Sequence, residues 1–479
     1  MKHREKILNR CLVSLCVFLF ISVSFFGLLA SEEGEVKSPV YAQRRAELMA
    51  KMQEGIAIFK NTGRNLDKDF YYLTGCEERG AVCLLIPEGP DKFILFVRPY
   101  SAVREIWSGK QFTLEETQRI YGADKVYPAD QFERILFASL RGKSKIYYSM
   151  NDEELNERIL RFFSMSGGRF PDNIVNPLPY VHEMRLIKGP EEISLLRKAV
   201  DITSDALNEV YKAVQPGMYE YEIQAIIEYF YRKNGATVGF SSIVGSGPNA
   251  TMLHYNKNDR QIQDGDLLLM DVGAAFGNYT ADITRTIPVS GSFSQRQKEV
   301  YEIVLDAQKQ AIAVAKPGVG VHKINQKGVE VINEGLFRLG LITDRESDWQ
   351  HRVSLMYYIS HWIGLAVHDV GGRGPDDGVG RKLEPGMVLT VEPGIYIRKE
   401  SFDHLEEMLG RNAPEKKELE EFLEAVKPAV EKYAGIGIRI EDDILIIETG
   451  HEILSKRVPK EIEDIKKLMK KDSYLSKKR

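Results

Sequence analysis

The stretch LLLMDVGAAFGNYTADITRT, residues 267–286, limits the possible folds more than any other part of this chain. Two β-rich runs flank Gly277-Asn278, a residue pair that favours the positive-φ turn of a tight hairpin. A two-residue turn there sets Asp271 opposite Thr284 and diagonal to Asp282, so both carboxylates share one face of the ribbon. Asp271 follows four apolar residues and is expected to be buried. An unpaired carboxylate is costly in such surroundings, so it requires a cation.

Two further acids sit in apolar surroundings. MVLTVEPGIYI places Glu392 in a predicted strand, and GIGIRIEDDILII places Arg439 and Glu441 two apart on one face of another. Asp271, Asp282, Glu392 and Glu441 together carry the charge that would neutralise two divalent cations. The run YYISHWIGLAVHDVGG, residues 357–372, holds two of the chain's nine histidines, and His361 is the expected neutral fifth ligand. An oxygen-rich set of this kind favours hard ions such as manganese or magnesium over a structural zinc. Two such ions can hold a water as hydroxide and polarise a carbonyl, so hydrolysis is the expected chemistry. His254, in NATMLHYN, and His368 are then assigned to the substrate as donors to developing negative charge. His361 and His368 are seven apart and would point to opposite faces of a straight strand, so a bend near Gly364 is required to bring both into one cleft.

These residues lie in the second of two expected domains. Residues 1–30 join a basic start, the apolar run 11–30 and Ala30 ahead of an acidic SEEGE, which reads as an export signal. The apolar run is long enough to span a bilayer, so it serves either as a cleaved signal peptide or as an amino-terminal membrane tether. In both cases the body is exported, to the periplasm or beyond the cell. Residues 38–179 alternate short strands with helical stretches, an α/β domain closed by a proline-rich linker, FPDNIVNPLPY. A second domain spans 184–458, opening with Pro190 and two glutamates at a helix start. Within it AVQPGMYEYEI and VAKPGVGVHKI echo each other, a hint of two half-repeats enclosing a site. Residues 399–433 form a charged helical insertion, either a lid or a solvated cover, with Leu419, Phe422, Leu423 and Val426 as its apolar stripe. Residues 459–479 read as a frayed basic tail. Cys76 and Cys83 are the two cysteines outside the leader and read as buried thiols. With 65 basic against 69 acidic residues there is no basic excess to bind nucleic acid. GSGPNA, from Gly245, matches a relaxed dinucleotide pattern, but Pro248 and the strand-like TMLHY after it deny it the necessary helix.

Together HWIGLAVHDVGG, VEPGIYI, GIRIEDD, DVGAAFGNYTADITRT and GSGPNATMLHY resemble the metal-dependent aminopeptidase P and prolidase family. RNLDKDFYYLTGCEERGAVCLLI resembles that family's amino-terminal domain. The resemblance implies an α/β domain of the creatinase/prolidase amino-terminal type followed by an α+β pita-bread metallopeptidase domain with a pseudo-twofold internal repeat. It also implies a hydrolase with two divalent ions, usually Mn2+, with Co2+ or Zn2+ as alternatives, cleaving between a first residue and a following proline. Asp271, Asp282, His361, Glu392 and Glu441 match the metal ligands, with Glu392 doubling as the general base that shuttles the proton of a metal-bridging hydroxide. His254 and His368 match substrate contacts, and Arg439 matches an arginine orienting the last carboxylate. Trp362 resembles aminopeptidase P more than prolidase, which remains the alternative within enzymes; a non-catalytic binding member of the fold lacks the ligands present here. The partners implied are peptides with proline second and further copies of the chain, as a homodimer or homotetramer. Tyr357 departs from the family, which usually has histidine there, and this bears on substrate length.

Overall fold

The structure, a computed structural model, describes residues 37–475 apart from 38, 63–65, 166–170, 348, 356 and 376. The leader of residues 1–30 lies outside the described residues. Among the described residues no helix is long and apolar enough to cross a membrane. The chain divides between Val181 and His182 into two units.

The amino-terminal unit is built on a six-stranded mixed sheet. Strand Ile56–Lys60 runs antiparallel to Val82–Leu85, which runs antiparallel to Phe93–Val97. Lys125–Pro128 adds in parallel at one edge, and Lys145–Tyr147 and Asn173–Val175 at the other. The strands are short and apolar, and Ile58, Leu84, Ile94, Phe96 and Ile146 meet helix residues Phe132, Leu136 and Ile159 in one core. Cys76 and Cys83 are buried free thiols.

The carboxy-terminal unit repeats one device twice. Helix Pro190–Ala213 leads through Pro216-Gly217 into helix Glu220–Lys233, and helix Gln295–Ala313 leads through Pro317-Gly318 into helix Val321–Leu339. In the first half the Gly217 N–H donates to the Ile262 carbonyl and the Ile262 N–H to Met218, both at 2.8 Å. In the second, Gly318 donates to Leu383 and Leu383 to Val319, again at 2.8 Å. Both glycines have φ near +90°, a conformation open to glycine and strained for other residues. The echo between the two Pro-Gly segments is thus a repeat of backbone architecture, and each half feeds one acid-bearing hairpin.

In the first hairpin, strand Leu267–Val272 pairs with Ile283–Pro288 and Asp271 lies opposite Thr284, the register the sequence predicts. Ala274–Phe276 and Tyr279–Thr280 continue that register to a turn at Gly277 and Asn278, both at positive φ. In the second pair, Val391 lies opposite Asp442 and Gly394 opposite Arg439. Constant register across the break puts Glu392 opposite Glu441. The two glutamates therefore sit where strands are interrupted, not within continuous strands as the apolar patterning predicts. Pro393 supplies the interruption, since it has no N–H to give the ladder.

Of the two outer segments, the insertion takes one of its two expected forms and the tail differs from expectation. Within the insertion, helix Lys416–Tyr433 buries Leu419, Phe422, Val426 and Val430 while Leu423 is only half-buried. It lies against the helices of the second half, where Arg296 donates to the Lys432 carbonyl at 2.6 Å and Phe422 meets Trp349 edge-on. None of residues 399–433 lines the acid-bearing cleft, so the segment is a cover and not a lid. The tail is docked where the sequence suggested fraying: Ile462–Met469 is a helix with Ile465 buried, and the Ser473 hydroxyl donates to Glu209 at 2.8 Å. Its charges hid one apolar anchor.

Candidate metal centre

The two acid pairs meet at the floor of a cleft of about 760 Å³. Asp282 and Glu441 are buried, and Asp271, Glu392 and His361 are partly so. Asp282, His361 and Glu441 present ligand atoms all within 4.8 Å of one another. The His361 Nε2 lies 3.5 Å from Asp282 and 3.4 Å from Glu392. The His361 Nδ1 is 3.2 Å from the Trp362 carbonyl, which can only accept. A proton on Nδ1 gives that carbonyl its donor and leaves the Nε2 lone pair facing the acids, the tautomer a metal requires.

His361 and His368 share the cleft because their segment pairs with residues 388–392 only as far as Ile363 and then turns. Trp362 makes a single bridge to Leu389, and the Asp369 N–H then donates back to the Trp362 carbonyl at 2.9 Å. The turn is tight enough that a Cβ on Gly364 would lie 2.3 Å from the Asp369 carboxylate. The rings of His361 and His368 end 4.4 Å apart, edge to face. The bend at Gly364 that the sequence required is therefore present. His254 and His368 are exposed and line the cleft. His254 comes from an irregular turn and not the predicted strand. Desolvation against the cleft wall, followed by the neighbouring His361 and His254, holds the His368 pKa below its usual value.

The electrostatics fit divalent cations. Burial, then the like charges of Asp271 and Asp443, pushes Asp282 well above the usual carboxylate range. Burial and then Asp282 and Glu392 do the same to Glu441. Burial raises Glu392 to about 7, although His361 and Arg439 pull it down. The Asp271 Oδ1, Asp282 Oδ1 and Glu441 Oε1 are buried and accept no hydrogen bond from a described residue. Buried carboxylate oxygens without donors are rare and costly. Four carboxylates and one imidazole, three of the oxygens without donors, form a donor set suited to hard divalent ions.

Arg439 requires a correction. The resemblance assigned it to the last carboxylate, but its guanidinium donates to Asp271 and to the Tyr396 hydroxyl. It reaches Glu441 only through Thr284, whose hydroxyl receives Arg439 Nε at 3.1 Å and donates to Glu441 at 2.7 Å. The reason is register, since Thr284 stands between the arginine and Glu441 while Asp271 faces the arginine directly.

The sequence reading missed several supports. The Asp443 carboxylate accepts the Asp282 N–H at 3.0 Å and, chiefly through burial, is raised to about 8. Glu441 and Asp443 are two apart and so share a face, a period-2 signal available in the sequence. Asp442 points the other way, into buried Arg285 and Lys460, which draw its pKa down against its burial. Tyr357 closes a chain of hydrogen bonds. Its hydroxyl donates to the Glu392 carbonyl at 2.8 Å and lies 3.0 Å from the Tyr396 hydroxyl, which Arg439 holds from the other side.

The chain is similar to known proteins over most of its length. Residues 194–448 match the model of Metallopeptidase family M24, and residues 41–147 match that of the Aminopeptidase P, N-terminal domain. The chain is 36% identical to the Xaa-Pro aminopeptidase of Escherichia coli K12 over 461 residues, covering 91% of this chain and 98% of that protein. It is likewise 36% identical to the Xaa-Pro aminopeptidase of Haemophilus influenzae, covering 94% and 100%. Among solved structures, an aminopeptidase PepP of Pseudomonas aeruginosa superposes with a TM-score of 0.80 at 34% identity, covering 91% and 98% of the two chains. An Escherichia coli aminopeptidase P bound to the inhibitor Pro-Leu superposes with a TM-score of 0.81 at 34% identity, covering 93% and 100%.

Proposed function

The chain belongs to metallopeptidase family M24, and from that membership we infer how its cleft works. It is a metal-dependent Xaa-Pro aminopeptidase, a hydrolase that removes an amino-terminal residue standing before proline. The observation that carries this reading is the convergence of Asp271, Asp282, His361, Glu392 and Glu441 on one cleft floor, with three carboxylate oxygens lacking donors.

Those five side chains would hold two divalent ions. When bound, the ions supply Lewis acidity, which lowers the pKa of a water and polarises the scissile carbonyl. Glu392 is the proposed general base. It takes the proton that the attacking water loses and delivers it to the proline nitrogen as the C–N bond breaks. The Tyr357 hydroxyl on the Glu392 backbone carbonyl ties down the backbone that carries that carboxylate. His254 and His368 stand at the cleft wall as donors to the carbonyl oxygen as it gains charge. Desolvation, then His361 and His254, disfavour the charged form of His368, and the neutral ring keeps one N–H to donate without adding a cation beside the metals. Phe240, Leu253 and Val367 give the cleft an apolar wall that suits a pyrrolidine ring.

We further propose manganese as the resident ion, because the ligands are mainly hard oxygens. Export rests on the basic-apolar-acidic pattern of residues 1–30, with 11–30 as a membrane tether if the leader is retained. Fractionating cells that express the chain with and without residues 11–30 tests this; an unchanged cytosolic location of the full chain would end it. A homodimer or homotetramer is proposed by analogy and is checked by light scattering, where a monomer at working concentration rules it out. The activity is tested by incubating the manganese-loaded protein with Ala-Pro-Ala and Ala-Pro. Release of alanine, faster from the tripeptide, supports the aminopeptidase, whereas turnover of the dipeptide alone supports prolidase.

A further inference from the structure

We propose that Arg373 anchors the free C-terminal carboxylate of short peptides in this cleft. The proposal rests on the aminopeptidase reading above and names its substrate class. Arg373 lines the same cleft as the five acid and histidine ligands. Its charge is felt at Glu392 and His368, so it lies within electrostatic range of the reacting centre. It makes no ion pair with any described residue.

The neighbouring arginine shows what the alternative looks like. Arg381 gives its guanidinium to both carboxylate oxygens of Glu183, at 2.9 and 2.6 Å, and its Nε to the Gly372 carbonyl at 2.9 Å. Its own backbone N–H donates to the Arg373 carbonyl. On the other side of Arg373, the Pro375 carbonyl lies 3.2 Å from His322 Nε2. The backbone around Arg373 is therefore tied at both ends. A Cβ at Gly374 would lie 2.6 Å from the Arg381 nitrogen, so only glycine permits this turn. The Arg373 guanidinium lies 4.0 Å from the ring centre of Tyr358, also a cleft residue. The Tyr358 hydroxyl is held at 2.8 Å by His322 Nδ1.

A guanidinium stacked on an aromatic face keeps its planar edge free for a bidentate carboxylate. Peptide substrates of an aminopeptidase carry an ammonium at one end and a carboxylate at the other. An uncompensated guanidinium repels the first and attracts the second, so Arg373 belongs to the side where the leaving peptide lies. A carboxylate can reach it only while the peptide is short enough to end within the cleft.

The test uses the manganese-loaded full chain and calorimetric binding of the leaving-side peptides Pro-Ala, Pro-Ala-NH2 and Pro-Asp-NH2. The wild type is expected to bind Pro-Ala about tenfold more tightly than its amide, the low end of a charge-assisted contact at an exposed site. Arg373→Gln should bring that ratio near one and Arg373→Glu should invert it, with thermal unfolding confirming that both variants fold. A ratio unchanged by Arg373→Gln, or no binding of any peptide, overturns the proposal. Equal binding of Pro-Ala and Pro-Asp-NH2 overturns it in favour of acidic side chains. A binding preference that follows Arg373 in a protein without turnover would sink the activity reading and leave this one standing.

Discussion

Removing the metals should invert the usual pH dependence of the carboxy-terminal unit's stability. In the metal-free protein Glu392 is raised from 4.5 to about 7 by burial. A carboxylate whose folded pKa is raised binds its proton more tightly folded than unfolded. Its contribution is therefore favourable up to the unfolded value and is lost as pH rises from about 4.5 to about 7, remaining flat above. The shift corresponds to about 3 kcal/mol. For a unit running from His182 to Arg479, about 300 residues, that converts to a fall in Tm of about 5 °C. Asp282 and Glu441 are raised as well, so the full fall should be at least this large. With saturating manganese the ionised acids are compensated and binding itself adds stability, so the fall should disappear. The assay is scanning fluorimetry from pH 5 to 8.5 on chelated and manganese-loaded protein. A metal-free Tm that rises through this window, or curves that coincide with and without metal, would refute the reasoning.

Glu392→Gln removes the proposed base while keeping a ligand oxygen, and kcat on Ala-Pro-Ala should fall about 100- to 10,000-fold in steady-state assays. Gly273→Ala puts a Cβ 1.8 Å from the Ala281 carbonyl oxygen, beside Asp282. The backbone must move, so urea unfolding should show a loss of about 1–3 kcal/mol or more, together with a lower metal content. Burial raises Cys76 and Cys83 to about 12, so neither should react with a thiol reagent at pH 8 until denaturant is added. Arg285→Met leaves the buried Asp442 carboxylate with Lys460 as its remaining cation beside donors from Gln308 and Ser455, and should cost about 3–5 kcal/mol in the same unfolding measurement.

Local signals carried much of the fold and site, and what they missed depends on contacts distant in sequence. The register that pairs Asp271 with Thr284 was legible because a Gly-Asn turn and a period of two fix it within twenty residues. Of the five candidate ligands, Asp271, Glu392 and Glu441 drew notice as acids in apolar runs, Asp282 through the hairpin register and His361 as a histidine in an apolar run. In the 357–372 segment the bend was legible from its two histidines but the extent of pairing was not, since residues 359–363 pair with 388–392 and the run then turns away. The partner of Arg439 was misassigned for a similar reason. Spacing puts Arg439 and Glu441 on one face, but Thr284, from a strand distant in sequence, fills the space between them. Tyr357 was visible only as a departure from a family pattern. Its hydrogen bonds to Glu392 and Tyr396 join residues 35 and 39 positions away.

The most direct test is elemental analysis of manganese-equilibrated protein after removal of free ion, with Asp282→Asn and Glu441→Gln measured alongside. The expectation is two ions per wild-type chain and one or none in each variant. A wild type that retains no ion, or variants that retain as many as the wild type, would contradict it.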